Sequence, residues 1–266
     1  MSVNLQGASA YTPHNPKLGS AAAVVQDQRT GELLLTKQAE TAMPIASLTK
    51  LMTAMVVLDA RIDMTKVITI DEADKDMMRH SQSHLYVGTQ LTRSQALLLA
   101  LMASENRAAH ALARSFPGGV SAVVSAMNEK ARSLELADTK FEDPTGLSEG
   151  NVSSAKDLSR LVSKAFQYPQ ICSYSTQIEF TLQQGKRKLH FVNTNALLRN
   201  RKWSIGLSKT GYIEPSGRCL VMQTTLAERP VIIVLLNSTG MYTRQADATR
   251  IKRWMEHSEA SKKVKR

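Results

Sequence analysis

The order of predicted elements places this 266-residue chain in the α+β class. Two short apolar runs near the start, at residues 20–26 and 32–36, predict a pair of strands. Helical periodicity dominates the middle of the chain, and extended segments return from residue 177 before a final helix. We therefore expect the two ends of the chain to complete one antiparallel sheet, with a helical lobe inserted at about residues 60–170.

The first elements follow from local signals. Residues 27–31 separate the two apolar runs and predict a hairpin turn. From residue 47 to about residue 60, apolar side chains recur at helical spacing, and Pro44 suits an entry turn before that helix. Residues 67–70 predict a short extended piece. The chain thus begins with a hairpin and a long apolar helix.

The helical lobe is marked by capping and breaking residues. Thr92 to Gln95 matches a capping box ahead of a helix at 96–103, which ends near residues 104–106. Another helix runs on to about residue 114, and Pro117-Gly118-Gly119 breaks it before a helix at 120–134. A loop at 141–147 precedes a helix at 155–167, for which Ser153 or Ser154 is the expected cap.

The last third of the chain is mainly extended. Residues 177–183 and 187–192 flank a turn and predict a hairpin, and three further strands are expected at 205–211, 218–227 and 230–237. The turns between these three strands are short, so we expect antiparallel pairing. A helix at about 244–257 closes the fold. We expect an arm at residues 1–18, one domain at 19–258 and a basic tail at 259–266.

Composition and charge exclude several classes of protein. With 42% hydrophobic and 21% charged residues, the chain is an ordinary globular protein. Lys and Arg outnumber Asp and Glu by 34 to 23, which favours an anionic partner such as nucleic acid, membrane or an acidic cell-wall polymer. Aromatic residues are only 5% and no base-reading motif is present, so we expect no nucleic-acid partner. No apolar run reaches the roughly 18 residues of a transmembrane helix.

Ser47 and Lys50 are the first candidate chemical pair. Residues three apart share a helix face, so Lys50 is expected beside the Ser47 hydroxyl. A lysine can take the proton of a serine only if burial or a nearby cation keeps its amine partly neutral. The alternative is that Ser47 caps a helix and Lys50 is a surface charge. The stretch from Ser153 to Lys156 has the same spacing and shows that the pattern alone is weak.

Two further short motifs carry the same ambiguity. Ser104-Glu105-Asn106 falls between two predicted helices, where its side chains could reach a cleft or cap a helix. Lys209-Thr210-Gly211 lies on a predicted strand, where the glycine would let a ligand approach the backbone. The alternative for Lys209 is a solvent-facing lysine before a turn. Chance matches to these short motifs occur elsewhere, at residues 2–4 and 29–31.

Taken in order, the three motifs are specific. Ser-x-x-Lys, Ser-x-Asn and Lys-Thr-Gly are the three elements of penicillin-recognising serine acyltransferases. From about residue 20 to 256 the chain resembles the low-molecular-mass penicillin-binding proteins that act as D-alanyl-D-alanine carboxypeptidases and endopeptidases, and the endopeptidase branch most. The resemblance implies a β-lactamase/DD-peptidase-like fold with a five-stranded antiparallel sheet flanked by helices.

The resemblance also implies roles for individual residues. Ser47 attacks the D-Ala carbonyl, Lys50 takes its proton, and Ser104 relays charge. The expected substrate-binding residues are Asn106, Lys209, Thr210, Gly211, Tyr212 and Arg244. Among these, the backbone N–H of Tyr212 joins that of Ser47 in the oxyanion hole, and Arg244 lies near the substrate carboxylate unless it is simply a surface arginine of the last helix. We expect the charge of Lys209 to favour a neutral amine on Lys50.

We expect no cofactor and no metal; the expected partners are peptidoglycan muropeptides, with β-lactam antibiotics as covalent inhibitors. Residues 1–4 show no signal sequence, so the protein is cytoplasmic or has lost a signal peptide, and the resemblance favours the periplasm. Cys172 and Cys219 are interpreted as packed thiols, with a single disulfide left open. The chain ends soon after the last helix, from which we expect no membrane anchor.

Three other activities compete with the endopeptidase. A β-lactamase shares the fold and the acylating serine, but a class A enzyme needs a Glu-x-x-Leu-Asn element, and none lies between the second and third motifs. A non-catalytic penicillin-binding sensor would use the same pocket. A carboxypeptidase that trims pentapeptides would carry the same three motifs. One departure from the family pattern is Glu105, where glycine or aspartate is more familiar; we expect its side chain to point away from the cleft.

Overall fold

The computed structural model describes the backbone of residues 15–263 and the side chains of residues 15–258. Most of the expected N-terminal arm therefore lies outside the described residues. The strands are β1 (Ser20–Asp27), β2 (Leu33–Lys37), β3 (Met43–Pro44), β4 (Val67–Thr69), β5 (Gln90–Thr92), β6 (Val152–Ser153), β7 (Glu179–Gln184), β8 (Arg187–Val192), β9 (Ser204–Ile213), β10 (Gly217–Leu226) and β11 (Arg229–Ser238). The helices are α1 (Lys50–Asp59), α2 (Arg93–Met102), α3 (Asn106–Arg114), α4 (Gly119–Ser133), α5 (Ala155–Ala165), α6 (Pro169–Thr176) and α7 (Thr243–Lys263).

The main sheet has five strands in the order β2-β1-β11-β10-β9, and every neighbouring pair is antiparallel. Strands from the two ends of the chain meet where β1 pairs with β11, with Val24 opposite Val234. The prediction of an antiparallel five-stranded sheet completed by both ends of the chain is confirmed. Strand β9, which carries the Lys-Thr-Gly motif, forms one edge.

Both faces of the sheet are covered, which explains why β11 is apolar at every position from Val231 to Leu236. Successive side chains of a strand point to opposite faces. Val234 belongs to the core cluster on one face, together with residues of α1 and α5. Ile233 lies in the cluster on the other face, where Ala248, Ile251 and Met255 of α7 pack. The sheet is therefore a buried layer between helices.

Two helices differ from the expectation. Helix α6 is not predicted from the sequence, because its eight residues contain two serines, a threonine and one tyrosine with no clear apolar period. It begins with Pro169 in its first turn, where the missing N–H costs no hydrogen bond. Helix α7 continues to Lys263, past the expected end at about residue 257, so its backbone extends into the expected basic tail. No helix of the described residues is both long and apolar enough to cross a membrane.

The two cysteines are free thiols, which answers the open question of a disulfide. Cys219 is fully buried on β10, and burial raises its pKa to about 11. Cys172 lies on α6, and burial also raises its pKa. A thiol with a raised pKa is a poor nucleophile at neutral pH, so both cysteines are packing residues.

Candidate active site

Ser47 lies in a 3-10 turn, Ala46–Thr49, that runs directly into α1 at Lys50. The sequence places it instead in the first turn of an α-helix. Because a 3-10 turn has three residues per turn, side chains three apart eclipse each other, and this places Lys50 directly over Ser47. The Lys50 Nζ lies 2.8 Å from the Ser47 Oγ. Ser47 caps no helix, since the cap position of this turn is Ile45 and that of α1 is Thr49.

The amine of Lys50 is buried among three oxygens. The residue is only 1% exposed, so the surface-charge alternative is wrong. Besides Ser47, the amine donates to the Asn106 Oδ1 at 2.7 Å and to the Thr145 carbonyl at 2.5 Å. An ammonium group can donate to all three oxygens. A neutral amine donates to Asn106 and Thr145 and turns its lone pair toward the Ser47 hydroxyl, as a general base requires.

Burial lowers the pKa of Lys50 from 10.5 to about 7, because a charged amine loses its hydration in this position. The carboxylates of Asp143, Glu105 and Asp76 act in the opposite direction and raise this pKa. The sequence suggests Lys209 as the cause of the lowering, and in the structure the cause is desolvation. The repulsion between the two lysines acts on Lys209, whose pKa is lowered first by burial and then by the charges of Lys50 and Arg244.

The second motif lies at the junction between α2 and α3, as its sequence predicts. Ser104 adopts a left-handed backbone conformation with φ of 60°, which a residue with a side chain rarely adopts and which is common at functional sites. Its Oγ accepts a hydrogen bond of 2.8 Å from the Lys209 Nζ. Asn106 is the first residue of α3, and its Nδ2 donates to the Ser81 Oγ at 2.8 Å. Nothing in the sequence marks Ser81 as a neighbour of the site.

Glu105 lies between these two residues in the motif. It is 7% exposed, and its carboxylate accepts hydrogen bonds from the Ser83 Oγ and from the backbone N–H of His84. The side chain thus binds the loop that precedes β5. The expectation that Glu105 points away from the cleft stays a prediction, since its carboxylate binds this loop while its charge raises the pKa of Lys50.

The third motif brings a second buried lysine to the site. Lys209 is 1% exposed, so the solvent-facing alternative is wrong. Besides Ser104, its Nζ contacts the Thr210 carbonyl at 2.9 Å. The Thr210 hydroxyl donates to the Thr194 Oγ1 at 2.6 Å. Thr194 is not identifiable from the sequence, because it sits in an irregular segment after β8 whose position beside β9 depends on the tertiary fold.

Gly211 is required by the protein's own backbone. The sequence suggests that it lets a ligand approach the strand, but a Cβ at this position would lie 2.9 Å from the Ile45 carbonyl oxygen and 3.2 Å from the Ser47 nitrogen. The glycine therefore lets edge strand β9 pack against the turn that carries Ser47. Tyr212 follows on β9 with an exposed ring, and the Arg218 guanidinium lies 4.6 Å from the centre of that ring.

Arg244, near the start of α7, is bound to the sheet. One of its guanidinium nitrogens donates to the Gly211 carbonyl at 3.2 Å and to the Cys219 carbonyl at 3.1 Å. The residue is 9% exposed, so it is not a surface arginine. Burial and the nearby Arg218 lower its pKa from the usual value. Arg244 therefore lies at the Gly211 end of the site and adds positive charge there.

A loop at residues 143–148 completes the surroundings of Lys50 by supplying the Thr145 carbonyl. The Asp143 carboxylate folds this loop by accepting from the backbone N–H groups of Thr145, Gly146 and Ser148. Gly146 has φ of +86°, and a Cβ there would collide with the Ala46 carbonyl oxygen at 2.0 Å. The Asp-Pro-Thr-Gly sequence predicts a loop, but not that its carbonyl reaches Lys50.

Asn151 joins this loop to the turn that carries Ser47. Its side chain is fully buried; the amide nitrogen donates to the Thr49 Oγ1 at 3.0 Å and to the Asp143 carbonyl at 2.8 Å. The amide oxygen accepts from the backbone N–H groups of Glu142 and Asp143. Every hydrogen-bonding group of this side chain is therefore used to hold the loop against the turn. No local sequence signal identifies it.

The assembled site suits nucleophilic attack on a carbonyl carbon. A serine hydroxyl lies beside a buried amine with a pKa of about 7, and a second hydroxyl, that of Ser104, contacts a second buried lysine. Arg244 adds positive charge at the Gly211 end of the site, which favours a substrate that carries a carboxylate. The geometry is that of an activated nucleophile with a proton relay.

Comparisons with known proteins agree with this chemistry. Residues 9–240 match the family model of peptidase S11, D-alanyl-D-alanine carboxypeptidase. The chain is similar to a D-alanyl-D-alanine endopeptidase of Pseudomonas aeruginosa, with 47% identity over 93% of this chain and 80% of the relative. It is also similar to a D-alanyl-D-alanine endopeptidase of Escherichia coli, with 42% identity over 94% of this chain and 81% of the relative. The crystal structure of the Streptomyces K15 DD-transpeptidase superposes with a TM-score of 0.83 at 29% identity, over 90% of this chain and 97% of that one.

Proposed function

Because the chain belongs to the peptidase S11 family of D-alanyl-D-alanine carboxypeptidases, we propose that its serine D,D-peptidase activity is carried by an acyl-enzyme on Ser47. The observation that carries this proposal is the 2.8 Å contact between the Ser47 Oγ and the buried Lys50 amine, whose pKa is about 7. At neutral pH a large share of such amines is neutral and can accept the serine proton. The substrate is a peptidoglycan peptide.

Acylation uses both lysines in turn. The Ser47 oxygen attacks the D-Ala carbonyl carbon while its proton passes to the Lys50 amine. The C–N bond then breaks, and the Lys50 ammonium returns this proton through the Ser104 hydroxyl, which Lys209 contacts at 2.8 Å, to the leaving amine, so that Lys50 is neutral again. Water subsequently attacks the ester, Lys50 takes a proton from that water, and Ser47 is released as a hydroxyl. A penicillin acylates Ser47 by the same first step, in which its β-lactam C–N bond breaks.

The oxyanion of each tetrahedral intermediate is bound by the backbone N–H groups of Ser47 and Tyr212. The support is the close packing of Gly211 on the Ser47 backbone, since a Cβ at Gly211 would lie 3.2 Å from the Ser47 nitrogen. Tyr212 is the next residue on the edge strand β9. Two N–H groups fixed by the fold stabilise developing negative charge without reorganising at the moment of reaction.

The carboxylate of the substrate binds at the Thr210 and Arg244 end of the site. Thr210 is linked to Thr194 by a hydrogen bond, and Arg244 donates to the Gly211 carbonyl on the same strand. Arg244 supplies positive charge, and Asn106 lies beside Lys50. A guanidinium is suited to a carboxylate because it can donate two parallel hydrogen bonds.

We propose that the main reaction is endopeptidase cleavage of D-Ala to diaminopimelate cross-links. The support is that the relatives from Pseudomonas aeruginosa and Escherichia coli, similar over most of this chain, are both D-alanyl-D-alanine endopeptidases. The second candidate is removal of the terminal D-Ala from pentapeptides, which is favoured by the family description and by a Bacillus subtilis carboxypeptidase with 31% identity. The Ser47 chemistry is the same for both.

A β-lactamase is a weaker candidate, because the acidic residues near the site are already bound. The Asp143 carboxylate accepts from backbone N–H groups of its own loop, and Glu142 pairs with Lys140 at 2.9 Å and with the Ser148 Oγ at 2.8 Å. Neither carboxylate is free to activate a water for rapid release of an acyl group. Acylation by penicillins should therefore persist.

We further propose that the protein acts in the periplasm on the assembled wall. The support is the cell-wall activity of its bacterial relatives and the excess of 34 Lys and Arg over 23 Asp and Glu. A net positive charge lengthens the time that a protein spends on an anionic polymer.

The deciding assay offers purified cross-linked dimeric muropeptides and uncross-linked pentapeptides side by side, followed by chromatography of the products. The proposal predicts loss of dimers with a matching gain of monomers. Ser47→Ala serves as the control and should leave both substrates intact. Release of free D-Ala from pentapeptides with the dimers untouched would make the protein a carboxypeptidase.

A further inference from the structure

Residues 76–88 form a loop, here called the cleft loop, that lies between the two segments that contact Lys50. Asp76 organises its first part by accepting from the backbone N–H groups of Met78, Arg79 and Ser81. The Arg79 Nε donates to the Leu147 carbonyl at 2.6 Å, which ties the cleft loop to the loop that supplies Thr145. The Arg79 contact thus fixes this largely exposed loop against the segment that contacts Lys50.

Three consecutive residues at the start of α3 hold the other side of the cleft loop. The Glu105 carboxylate accepts from the Ser83 Oγ at 2.7 Å and from the His84 backbone N–H at 3.0 Å. Arg107 donates to the Leu85 carbonyl at 2.6 Å. Glu105 is 7% exposed and both of its donors are neutral groups of the loop, so a buried carboxylate is committed to holding this segment. A glycine at this position could not make these contacts.

Asn106, the middle of these three residues, connects the loop to the chemistry. Its Nδ2 donates to the Ser81 Oγ at 2.8 Å, and its Oδ1 accepts from the Lys50 Nζ at 2.7 Å. An asparagine amide can turn by 180°, which exchanges a donor for an acceptor at almost no change in shape. The Ser81 hydroxyl donates to the Asp76 carboxylate, so it can only accept from Asn106, and one orientation of the amide suits both Ser81 and a Lys50 ammonium. Without Ser81, the amide nitrogen could turn toward the Lys50 lone pair and compete with the Ser47 hydroxyl.

We propose that Glu105 is a positioning residue that holds the cleft loop at Ser83 and His84, so that Ser81 fixes the Asn106 amide with its oxygen on Lys50. The inference rests on the proposed roles of Ser47 and Lys50. It gives a function to the residue in which the Ser-x-Asn motif of this chain departs from the family pattern.

Because Glu105 is charged, the proposal also predicts a change in the pH dependence of acylation when this residue is replaced. The charged groups that face Lys50 are Asp76 on the cleft loop, Glu105 beside α3, Asp143 on the neighbouring loop and Lys209 on β9. Glu105 raises the pKa of Lys50, so replacing it by a neutral residue should lower that pKa. The acidic limb of the acylation rate should then move to lower pH in Glu105→Gln, which keeps the size of the side chain.

The experiment measures the rate of acylation by a fluorescent penicillin against pH in the full chain. Glu105→Ala should lose on the order of 10²-fold in rate, as expected when a reacting group is misplaced by about an ångström. Ser81→Ala should lose about tenfold with no shift of the acidic limb, because it removes one hydrogen bond and no charge. Glu105→Gln should retain more of the rate than Glu105→Ala. Glu129→Gln, an exposed carboxylate on α4, is the control and should behave as wild type.

The double variant Glu105→Ala with Ser81→Ala decides whether the two act together. If Glu105 works through Ser81, the double variant should be no slower than Glu105→Ala alone. A wild-type rate in Glu105→Ala, or additive losses with an unmoved acidic limb, would overturn the proposal. If Glu105→Ala does not fold, Glu105→Gln and Ser83→Ala replace it, and their acylation rates are compared in the same way with those of Ser81→Ala. Labelling that survives in Ser47→Ala would instead refute the proposed function, so the two failures are distinct.

Discussion

The chain contains two Ser-x-x-Lys stretches with the same spacing and opposite surroundings. In the first, Lys50 is 1% exposed and its amine lies 2.8 Å from the Ser47 Oγ. In the second, the Lys156 side chain is 37% exposed and its amine pairs with Glu40 at 2.6 Å, while the Ser153 Oγ shares a hydrogen bond with the Thr139 Oγ1 at 2.7 Å. Spacing alone therefore does not create a nucleophile and its base.

The backbone explains the difference. Ser47 lies in a 3-10 turn that continues into α1, so its side chain eclipses that of Lys50. Ser153 lies in the short strand β6, whereas Lys156 lies in α5, so their side chains leave the backbone in different directions. Burial then decides the chemistry, because only the enclosed lysine loses the hydration that keeps an amine charged. Matched substitutions in the two stretches should therefore have different effects.

The largest expected effect is that of Ser47→Ala, which should abolish covalent labelling by a fluorescent penicillin. The hydroxyl is the proposed nucleophile, and Ser47 caps no helix, so the fold should be unchanged. The matched control is Ser153→Ala, which should label at the wild-type rate. Circular dichroism of both variants checks the fold, and persistent labelling of Ser47→Ala would contradict the assignment.

Lys50→Arg should reduce acylation by about 10²–10⁴-fold, the range expected for loss of a general base. Arginine keeps the charge but cannot become neutral at accessible pH. Lys156→Arg is the matched control, since it keeps a cation next to Glu40 at the surface. Stopped-flow acylation rates measure both. A rate for Lys50→Arg close to wild type would show that another group takes the Ser47 proton.

Acylation of the wild-type protein should rise with pH and level off above about pH 7. The base must be neutral, and burial lowers the pKa of Lys50 to about 7, so below that value the rate should fall about tenfold per pH unit. Second-order rate constants between about pH 5 and pH 9 measure this limb. A limb centred near the ordinary lysine value of about 10.4 would show that burial does not set the chemistry.

The smallest expected effect belongs to the second stretch. The Ser154 side chain accepts from the Asp157 backbone N–H at 3.2 Å and so caps α5. Ser154→Ala should cost about 1 kcal/mol of folding free energy and lower Tm by about 2–4 °C, without changing acylation. Ser154→Gly, which costs only a few tenths of a kcal/mol at a cap position, should lower the Tm less than Ser154→Ala. A changed acylation rate in Ser154→Ala would contradict the claim that only the first stretch takes part in acylation.

Much of the fold is accessible from local patterns. The first hairpin, the capping box at Thr92 and the junction at Ser104 are all predicted and are present in the structure. The cap of α5, predicted as Ser153 or Ser154, is Ser154. These features depend on residues close together in the chain, where periodicity and capping chemistry are informative. Helix α6 is missed because its sequence has no such period, and tertiary packing at Ile171 stabilises it.

Only the site residues that belong to the three motifs are predictable from the sequence. Ser47, Lys50, Ser104, Asn106 and Lys209 come together as the motif order suggests. Asn151 and Thr145 are missed because their contacts with Thr49 and Lys50 span 102 and 95 residues of sequence. Such contacts depend on how loops pack in three dimensions. For the same reason the sequence assigns the lowered pKa of Lys50 to Lys209, whereas the structure assigns it to desolvation.

The most direct test of this account is the titration of the Lys50 amine itself. NMR of protein labelled with ¹³C at the lysine side chains follows the ε-carbon shifts with pH, and the signal absent from Lys50→Arg identifies Lys50. Since burial lowers its pKa to about 7, we expect a midpoint close to that value. A midpoint near the ordinary lysine value of about 10.4 would contradict the claim that burial makes Lys50 the base for Ser47.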